Sequence, residues 1–188
     1  MGVAVGIRDS CTCLHLQPLG GAQVTSATLT KPNGELLHRP SDSGDTYWGP
    51  GDMYRFLVTG QETGGAYFAM EALVPPGGGP PPHIHRNEDE TFYIVEGRVD
   101  FRLGADTITA GVGDFVNVPR DTVHCFHNAS AAAARMILTF TPANIEKFFE
   151  ETLERALDTT QPPPDNIDEV AARYAAAAPR YGLEFILE

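Results

Sequence analysis

The sequence predicts an all-β protein: a sandwich or jelly-roll barrel of antiparallel strands, with an N-terminal arm before it and a short helical extension after it. Between residues 47 and 142, short runs alternate apolar and polar side chains, and Gly or Pro separates the runs. Period-two runs of this kind are typical of antiparallel strands that bury one face. The chain also contains 19 Gly and 15 Pro residues, which favours a turn-rich β protein over a helical bundle.

The N-terminal arm is predicted over residues 1–46, which show no clear period and contain one or two short strands at most. Cys11 and Cys13 in this arm stand too close together for an easy disulfide, and Cys125 lies far away in the sequence. Three cysteines of this kind do not suggest a disulfide framework. We therefore expect a reducing, cytoplasmic setting.

In the predicted barrel, residues 47–142, the side chains on one face of each strand form the core. Charged residues such as Glu71, Arg98 and Asp100 take the opposite faces. The inner-face residues, strand by strand, are Tyr54, Phe56 and Val58; Phe68, Met70, Ala72 and Val74; Val99, Phe101 and Leu103; and Ala134, Met136, Leu138 and Phe140.

The C-terminal extension, residues 143–188, changes from period two to helical spacing. A helix is predicted over residues 144–158, where apolar residues recur every three or four positions and a proline run follows. A second helix is predicted after an Asn166 cap and is limited by Pro179, and the closing YGLEFILE is predicted to be a last strand. The extension either covers the mouth of the barrel or serves as a structural or dimer contact.

The charge of the chain argues against several partners. Its formal net charge is −12 and its sequence pI is about 4.8, so its surface repels nucleic acid and anionic membranes. No apolar run approaches the ~18 residues that a membrane span needs, and the N-terminus lacks the basic and apolar regions of a secretory signal. Tyr93 and Val95 are predicted to face outward, which would suit packing of the arm or a homodimer.

The candidate chemistry begins with a His-x-His pair, His83 and His85, preceded by three prolines. Residues i and i+2 of a strand point to the same face, so both imidazoles are aimed into one space. Imidazole suits Zn, Cu, Fe and Ni. Taken alone, the pair is more often a polar pair on a strand than half of a metal site.

Three acids follow the histidine pair. If a turn covers residues 86–89 and a strand restarts at Glu90, then Glu90 shares the inner face with Phe92 and Ile94. Glu88 and Asp89 are then expected to lie exposed in the turn.

A third candidate ligand is His124, which opens another predicted strand. His124, Phe126 and Asn128 share one face, so His127 points the opposite way. Three imidazoles and one carboxylate would then meet inside one barrel.

The spacing of these residues resembles the two motifs of the cupin superfamily. From Gly77 to Gly97 the chain follows the first motif, G-x5-H-x-H-x4-E-x6-G. From Gly113 to Asn128 it follows the second, G-x5-P-x-G-x2-H-x3-N, except that Asp121 stands where a glycine is usual. Because this is a turn position, we expect that an Asp can serve there.

This resemblance implies a double-stranded β-helix barrel that binds one divalent transition metal (Fe, Ni, Mn, Cu, Co or Zn) through His83, His85, Glu90 and His124. The single barrel with a short extension is similar to bacterial single-domain, quercetinase-like cupins. In such enzymes the metal binds a flavonol, dioxygen opens its ring, and the glutamate that matches Glu90 takes or holds the flavonol proton. We therefore expect Glu90 to be catalytic.

The inner faces of the strands supply apolar walls suited to an aromatic or otherwise apolar substrate. The predicted wall residues are Phe68, Met70, Phe92, Phe126, Met136 and Leu138. Because one fold hosts many chemistries, a non-oxidative isomerase or polyketide cyclase, or a module that binds a metal or small molecule without turnover, remains an alternative.

Overall fold

The computed structural model describes residues 36–41, 43–160 and 163–186. Most of the predicted N-terminal arm, including Cys11 and Cys13, therefore lies outside the described residues. The predicted boundaries between arm, barrel and extension stay predictions.

The described residues form twelve strands and three α-helices in which strands dominate. The elements are β1 (Thr46–Trp48), β2 (Met53–Val58), α1 (Gly60–Thr63), β3 (Phe68–Val74), β4 (His83–His85), β5 (Asp89–Glu96), β6 (Arg98–Leu103), β7 (Asp106–Gly111), β8 (Phe115–Val118), β9 (His124–His127), β10 (Ala134–Thr141), α2 (Glu146–Thr152), β11 (Glu154–Arg155), α3 (Ile167–Ala177), a 3-10 turn (Ala178–Tyr181) and β12 (Leu183–Phe185).

These strands build two antiparallel sheets. One sheet has the order β11-β1-β2-β3-β10-β5-β8, and the other has the order β12-β4-β9-β6-β7. The predicted all-β class is confirmed. Among the described residues, no helix is long and apolar enough to cross a membrane.

The core lies against the inner faces of the sheets, as the alternation predicts. In β3 and β10, which pair directly, the inner-face side chains are at most 2 % exposed, and Phe68 stacks on Phe140. Burial of each such side chain contributes roughly 1.5–3 kcal/mol to folding. Val58 departs from the pattern, since it is only half-buried and the register between β2 and β3 shifts between Phe56 and Val58.

The first helix of the extension is about half as long as predicted. It ends at Thr152, and Leu153 adopts an extended conformation with φ −101° and ψ 156°. The next two residues form β11, which pairs with the free edge of β1 and so satisfies backbone groups that a longer helix would leave unpaired on that edge. Leu157, predicted on the apolar helix face, is 92 % exposed.

Glu146, the first residue of α2, is buried. Its carboxylate accepts hydrogen bonds from the backbone N–H groups of Gly60 and Asn144, at 3.0 and 2.8 Å. The side chain therefore links the start of α2 to the start of α1.

The second helix, α3, follows Asn166 as predicted, although the Asn166 amide donates to Glu154 instead of capping the helix. Pro179 lies in the 3-10 turn that follows. The chain then forms β12, the predicted last strand, which pairs antiparallel with β4. The extension thereby returns to the strand that carries the His-x-His pair.

Candidate metal centre

Four buried side chains meet between the two sheets: His83 and His85 from β4, Glu90 from β5 and His124 from β9. Each offers one ligand atom, and these atoms all lie within 4.8 Å of one another. None of the four residues is more than 6 % exposed. The structure thus brings together the four residues that the sequence predicts as metal ligands.

The strand geometry explains why they converge. His83 and His85 lie two residues apart on β4, so they share a face, and His83 is directly opposite His124 in the neighbouring β9. Glu90 is the second residue of β5 in the other sheet, where its side chain points inward with that of Phe92. His127 ends β9 on the opposite face and is exposed, as its position in the alternation predicts.

Two of the imidazoles are held by backbone carbonyl groups on the side away from the cluster. The Nδ1 atom of His83 lies 2.9 Å from the oxygen of Pro81, and that of His124 lies 3.0 Å from the oxygen of Thr122. These contacts place a proton on Nδ1. They leave Nε2 to face the centre, which is the usual arrangement of a metal-binding histidine.

Glu90 is the negative group of the cluster. Its Oε2 lies 2.8 Å from Nε2 of His124 and 3.5 Å from Nε2 of His85. Burial acts to raise the pKa of Glu90, but the hydrogen bond from His124 and the charges of the histidines lower it overall. Burial acts to lower the pKa of His124, but its hydrogen bond to Glu90 raises it overall.

Among the described residues, no carboxylate is hydrogen-bonded to His83. Burial, together with the nearby charges of His124 and His85, lowers the pKa of His83 to about 3. Its ring is therefore neutral and its nitrogen lone pair is available. Three imidazole nitrogens and one carboxylate in a buried site fit a divalent transition metal.

Glu88 is a correction to the sequence prediction. It was expected to lie exposed in the turn, but it is 1 % exposed, and its Oε2 lies 3.7 Å from Nδ1 of His85. Neither atom has a hydrogen-bond partner among the described residues. Asp89 does lie at the surface, where it forms an ion pair with Arg120. Glu88 thus stands behind His85 in the place that Pro81 and Thr122 occupy behind the other two histidines.

Asp121 fills the turn position where the cupin motif usually has glycine. Its φ is 64°, in the left-handed region that glycine adopts most easily and that Asp tolerates. Its backbone N–H donates to the oxygen of His85, and its carboxylate accepts a hydrogen bond from Arg86. The residue therefore anchors the end of β4 and lies outside the cluster itself.

A cavity of about 50 Å³ adjoins the cluster and is lined by His83, His85 and Glu90 together with apolar side chains. Half of the predicted wall residues line it: Met70, Phe126 and Leu138. The structure places the other three in the hydrophobic core and not among the lining residues: Phe68, Phe92 and Met136.

Comparison with known families decides what this barrel is. Residues 70–140 match the family model described as a cupin domain. The barrel has the cupin fold. That segment contains all four residues of the cluster.

The cupin domain is similar to that of curated enzymes. The chain is 28 % identical over 147 residues to a quercetin 2,3-dioxygenase of Bacillus subtilis, covering 78 % of this chain and 43 % of the relative. It is 32 % identical over 120 residues to a quercetin 2,3-dioxygenase of Aspergillus japonicus, covering 59 % of this chain and 33 % of the relative. The chain thus spans less than half the length of these two dioxygenases.

Solved structures support the fold. An RmlC-like cupin from Shewanella frigidimarina superposes with a TM-score of 0.51 at 20 % identity, covering 61 % of this chain and 96 % of the other. A predicted oxalate decarboxylase from Thermotoga maritima superposes with a TM-score of 0.52 at 17 % identity, covering 57 % and 99 %. At these identities the likeness concerns the cupin fold alone.

Side chains outside the matched segment close the cavity of the cupin domain, and the sequence patterns did not assign them to the site. They come from β2, α2, α3 and β12: Tyr54, Phe148, Phe149, Tyr174, Leu183 and Phe185. Tyr174 stacks on Phe185, whose ring lies 6.1 Å from that of His83. Helical spacing in the extension signals that these aromatic residues are buried, but it does not say against which surface.

Proposed function

We propose that this cupin is a metal-dependent dioxygenase of the quercetinase type, which cleaves a phenolic, flavonol-like substrate with dioxygen. The observation that carries the proposal is the buried cluster of His83, His85, Glu90 and His124 at the end of an apolar cavity. The similarity to two quercetin dioxygenases supports it.

A divalent transition metal bound by these four residues would act as a Lewis acid toward a substrate hydroxyl and leave positions free for dioxygen. The protein would supply orientation and the exclusion of water. Met70, Phe126 and Leu138 would hold an aromatic ring by apolar contact, since they line the cavity beside the cluster. Glu90, the expected catalytic residue, would accept a hydrogen bond from the substrate hydroxyl and so orient it.

The size of the cavity bears on which substrate enters. About 50 Å³ holds one or two water molecules or a small molecule such as dioxygen, whereas pockets for drug-sized ligands measure roughly 300–1,000 Å³. A flavonol would therefore enter only after the aromatic side chains of the extension move. Loops or segments that open and close over a site are common in enzymes.

The small cavity also favours a second candidate, a non-oxidative cupin enzyme of the isomerase or polyketide cyclase type with a smaller substrate. The chain is 32 % identical over 94 residues to the polyketide synthase CurC of Streptomyces cyaneus, covering 49 % of this chain and 60 % of that protein. In such an enzyme the same four residues would hold a metal that polarises a carbonyl group.

Metal analysis coupled to an oxygen electrode tests the proposal. The protein would be loaded separately with Fe, Mn, Co, Ni or Cu and mixed with a panel of flavonols, with zinc as the redox-inactive control. We expect oxygen consumption with at least one metal, no consumption in His124→Ala, and unchanged consumption in His127→Ala, whose imidazole is exposed. No consumption with any metal would refute the dioxygenase, and turnover of a substrate by the zinc form without oxygen would establish the second candidate.

A homodimer in the cytoplasm remains part of the proposal. Tyr93 and Val95 on the outer face of β5 are 47 % and 41 % exposed, and Phe115 on the paired strand β8 is 63 % exposed. Light scattering on the wild-type chain and on Phe115→Ser would measure whether this apolar face pairs two copies. A monomeric wild type would refute the pairing.

A further inference from the structure

A second carboxyl group lies buried close to the cavity. Asp52, directly before β2, is 3 % exposed. Its Oδ2 accepts a hydrogen bond from the hydroxyl of Tyr54 at 3.0 Å. Its Oδ1 is buried and has no hydrogen-bond partner among the described residues. Buried carboxyl groups without a cation or a full set of donors are costly, so such a group calls for an explanation.

Two tyrosines connect this carboxyl group to the cavity. Tyr54 lines the cavity together with His83, His85 and Glu90. Tyr174, carried by α3, lines the same cavity, and its hydroxyl is also buried without a hydrogen-bond partner among the described residues. Apart from the metal cluster, the cavity therefore has polar groups beside it whose hydrogen-bonding capacity is not fully used among the described residues.

Asp52 and Tyr54 act electrostatically on each other, and Tyr54 is also affected by Tyr174 on α3 and by Glu90 on β5. Burial raises the pKa of Asp52 to about 7, although the hydrogen bond from Tyr54 opposes the rise. Burial and the charge of Asp52 raise the pKa of Tyr174, and burial with the charges of Asp52, Tyr174 and Glu90 raises that of Tyr54 well above its ordinary value. A carboxyl group that titrates near neutrality is suited to accept a proton at the working pH.

We propose that Asp52 and Tyr54 are a proton-accepting pair for a hydroxyl group of the substrate in this cavity. The substrate O–H bond breaks and its proton binds the oxygen of Tyr54, while the O–H bond of Tyr54 breaks and that proton binds Oδ2 of Asp52. The substrate is left as an oxyanion, Tyr54 is restored, and Asp52 becomes neutral. Each proton travels along a hydrogen bond, one of which the structure shows at 3.0 Å.

With Asp52 and Tyr54 as proton acceptors, Glu90 does not need to serve both as a base and as a metal ligand. Glu90 is hydrogen-bonded to His124 and belongs to the cluster that would hold the metal, so it cannot freely take a proton and bind a cation at the same time. Asp52 is not part of that cluster. This inference rests on the proposed function in that the cavity must accept a hydroxylated aromatic ligand, but it does not require the reaction with dioxygen.

Proton counting during ligand binding tests the pair without relying on activity. The probe is 3-hydroxyflavone, which is neutral in solution at pH 8 and whose anion absorbs at longer wavelength. It would be bound to the zinc-loaded protein in calorimetry buffers of different ionisation enthalpy. We expect wild type to bind the anion without releasing a full proton to the buffer, because the negative charge of the bound anion raises the pKa of Asp52 above about 7 and Asp52 keeps the proton. Asp52→Asn and Tyr54→Phe should either bind the neutral form or release one proton for each anion bound.

Tyr181→Phe is the matched control, because it removes a tyrosine hydroxyl that bonds Glu151 at the surface of the protein. In the oxygen assay, kcat/KM of wild type should fall about tenfold for each pH unit below pH 7, because the base must be ionised, and this limb should vanish in Asp52→Asn. Loss of a general base lowers the rate roughly 10²- to 10⁴-fold.

Identical proton counts in wild type and both variants would overturn the pair, even if the variants change the melting temperature. Failure of wild type to bind 3-hydroxyflavone would overturn both the pair and the proposed function. Asp52-dependent proton uptake without oxygen consumption would support the pair and refute the dioxygenase alone.

Discussion

Replacement of Asp52 by asparagine should stabilise the protein increasingly as the pH rises. In the folded protein the pKa of Asp52 is about 7, because burial disfavours its charge, whereas the ordinary value is 3.8. Below the ordinary value both states carry the proton, so ionisation adds no cost to burial. As the pH rises to about 7, the unfolded chain releases this proton while the folded protein retains it, so the wild type loses stability across that window.

The size of this effect follows from the interval between the two pKa values. The interval between 3.8 and about 7 is roughly three units, and each unit corresponds to about 1.36 kcal/mol. Asparagine cannot ionise, so the variant escapes this loss. Burial of amide N–H groups that lack partners adds a cost, but that cost does not depend on pH. The free energy of unfolding of Asp52→Asn minus that of wild type should therefore rise by about 4 kcal/mol between pH 4 and pH 8.

Denaturant unfolding of metal-free protein at a series of pH values measures this difference. Asp106→Asn, which replaces an exposed acid at the start of β7, is the control for removing a surface carboxylate. A flat difference for Asp52→Asn would show that Asp52 ionises normally in the folded protein, and it would remove the reason to regard the residue as a base near neutrality.

Other predictions concern the metal centre and its surroundings. His124→Ala should abolish tight metal binding and His127→Ala should leave it nearly intact, as measured by metal content after dialysis; equal loss would mean that His124 is not a ligand. Glu88→Gln should lower metal affinity about 10- to 100-fold, because Glu88 lies behind a ligating histidine, whereas Asp89→Asn at the neighbouring first position of β5 should not; equal affinities in a chelator competition would contradict this. Gly79→Ala should lower the midpoint of denaturation, because Gly79 has a φ of 132° and a Cβ would overlap a backbone oxygen of β9; an unchanged midpoint would contradict it.

The strands of the barrel were predictable because a strand repeats every two residues. In β10 the burial of Met136 and Leu138 follows directly from their alternation with Arg135 and Thr139. The same rule separates His124 from His127.

The inward turn of Glu88 was not predictable from the acidic run that contains it. A run of three acids does not by itself show which of the three side chains points inward. The outcome depends on where β5 begins, and the strand begins one residue earlier than predicted, at Asp89.

Contacts between distant segments account for the remaining differences. The helix α2 is short because the residues that follow it, Glu154 and Arg155, pair with the edge of β1 instead of continuing the helix. The strand β1 lies about 100 positions earlier in the chain. The place of Tyr54 beside the cavity likewise depends on Tyr174 and the rest of the extension, and no local pattern in β2 reports it.

The pairing of β4 with β12 ties the lifetime of a bound metal to the opening of the extension. β4 has three residues, and its only paired position with β9 is that of His83, whereas β12 pairs along its whole length up to Phe185. Such short segments open as units in native-state hydrogen exchange. The backbone amides of β4 should therefore exchange together with those of residues 183–185, and the rate at which a metal leaves should follow the fraying of a strand that contributes no ligand.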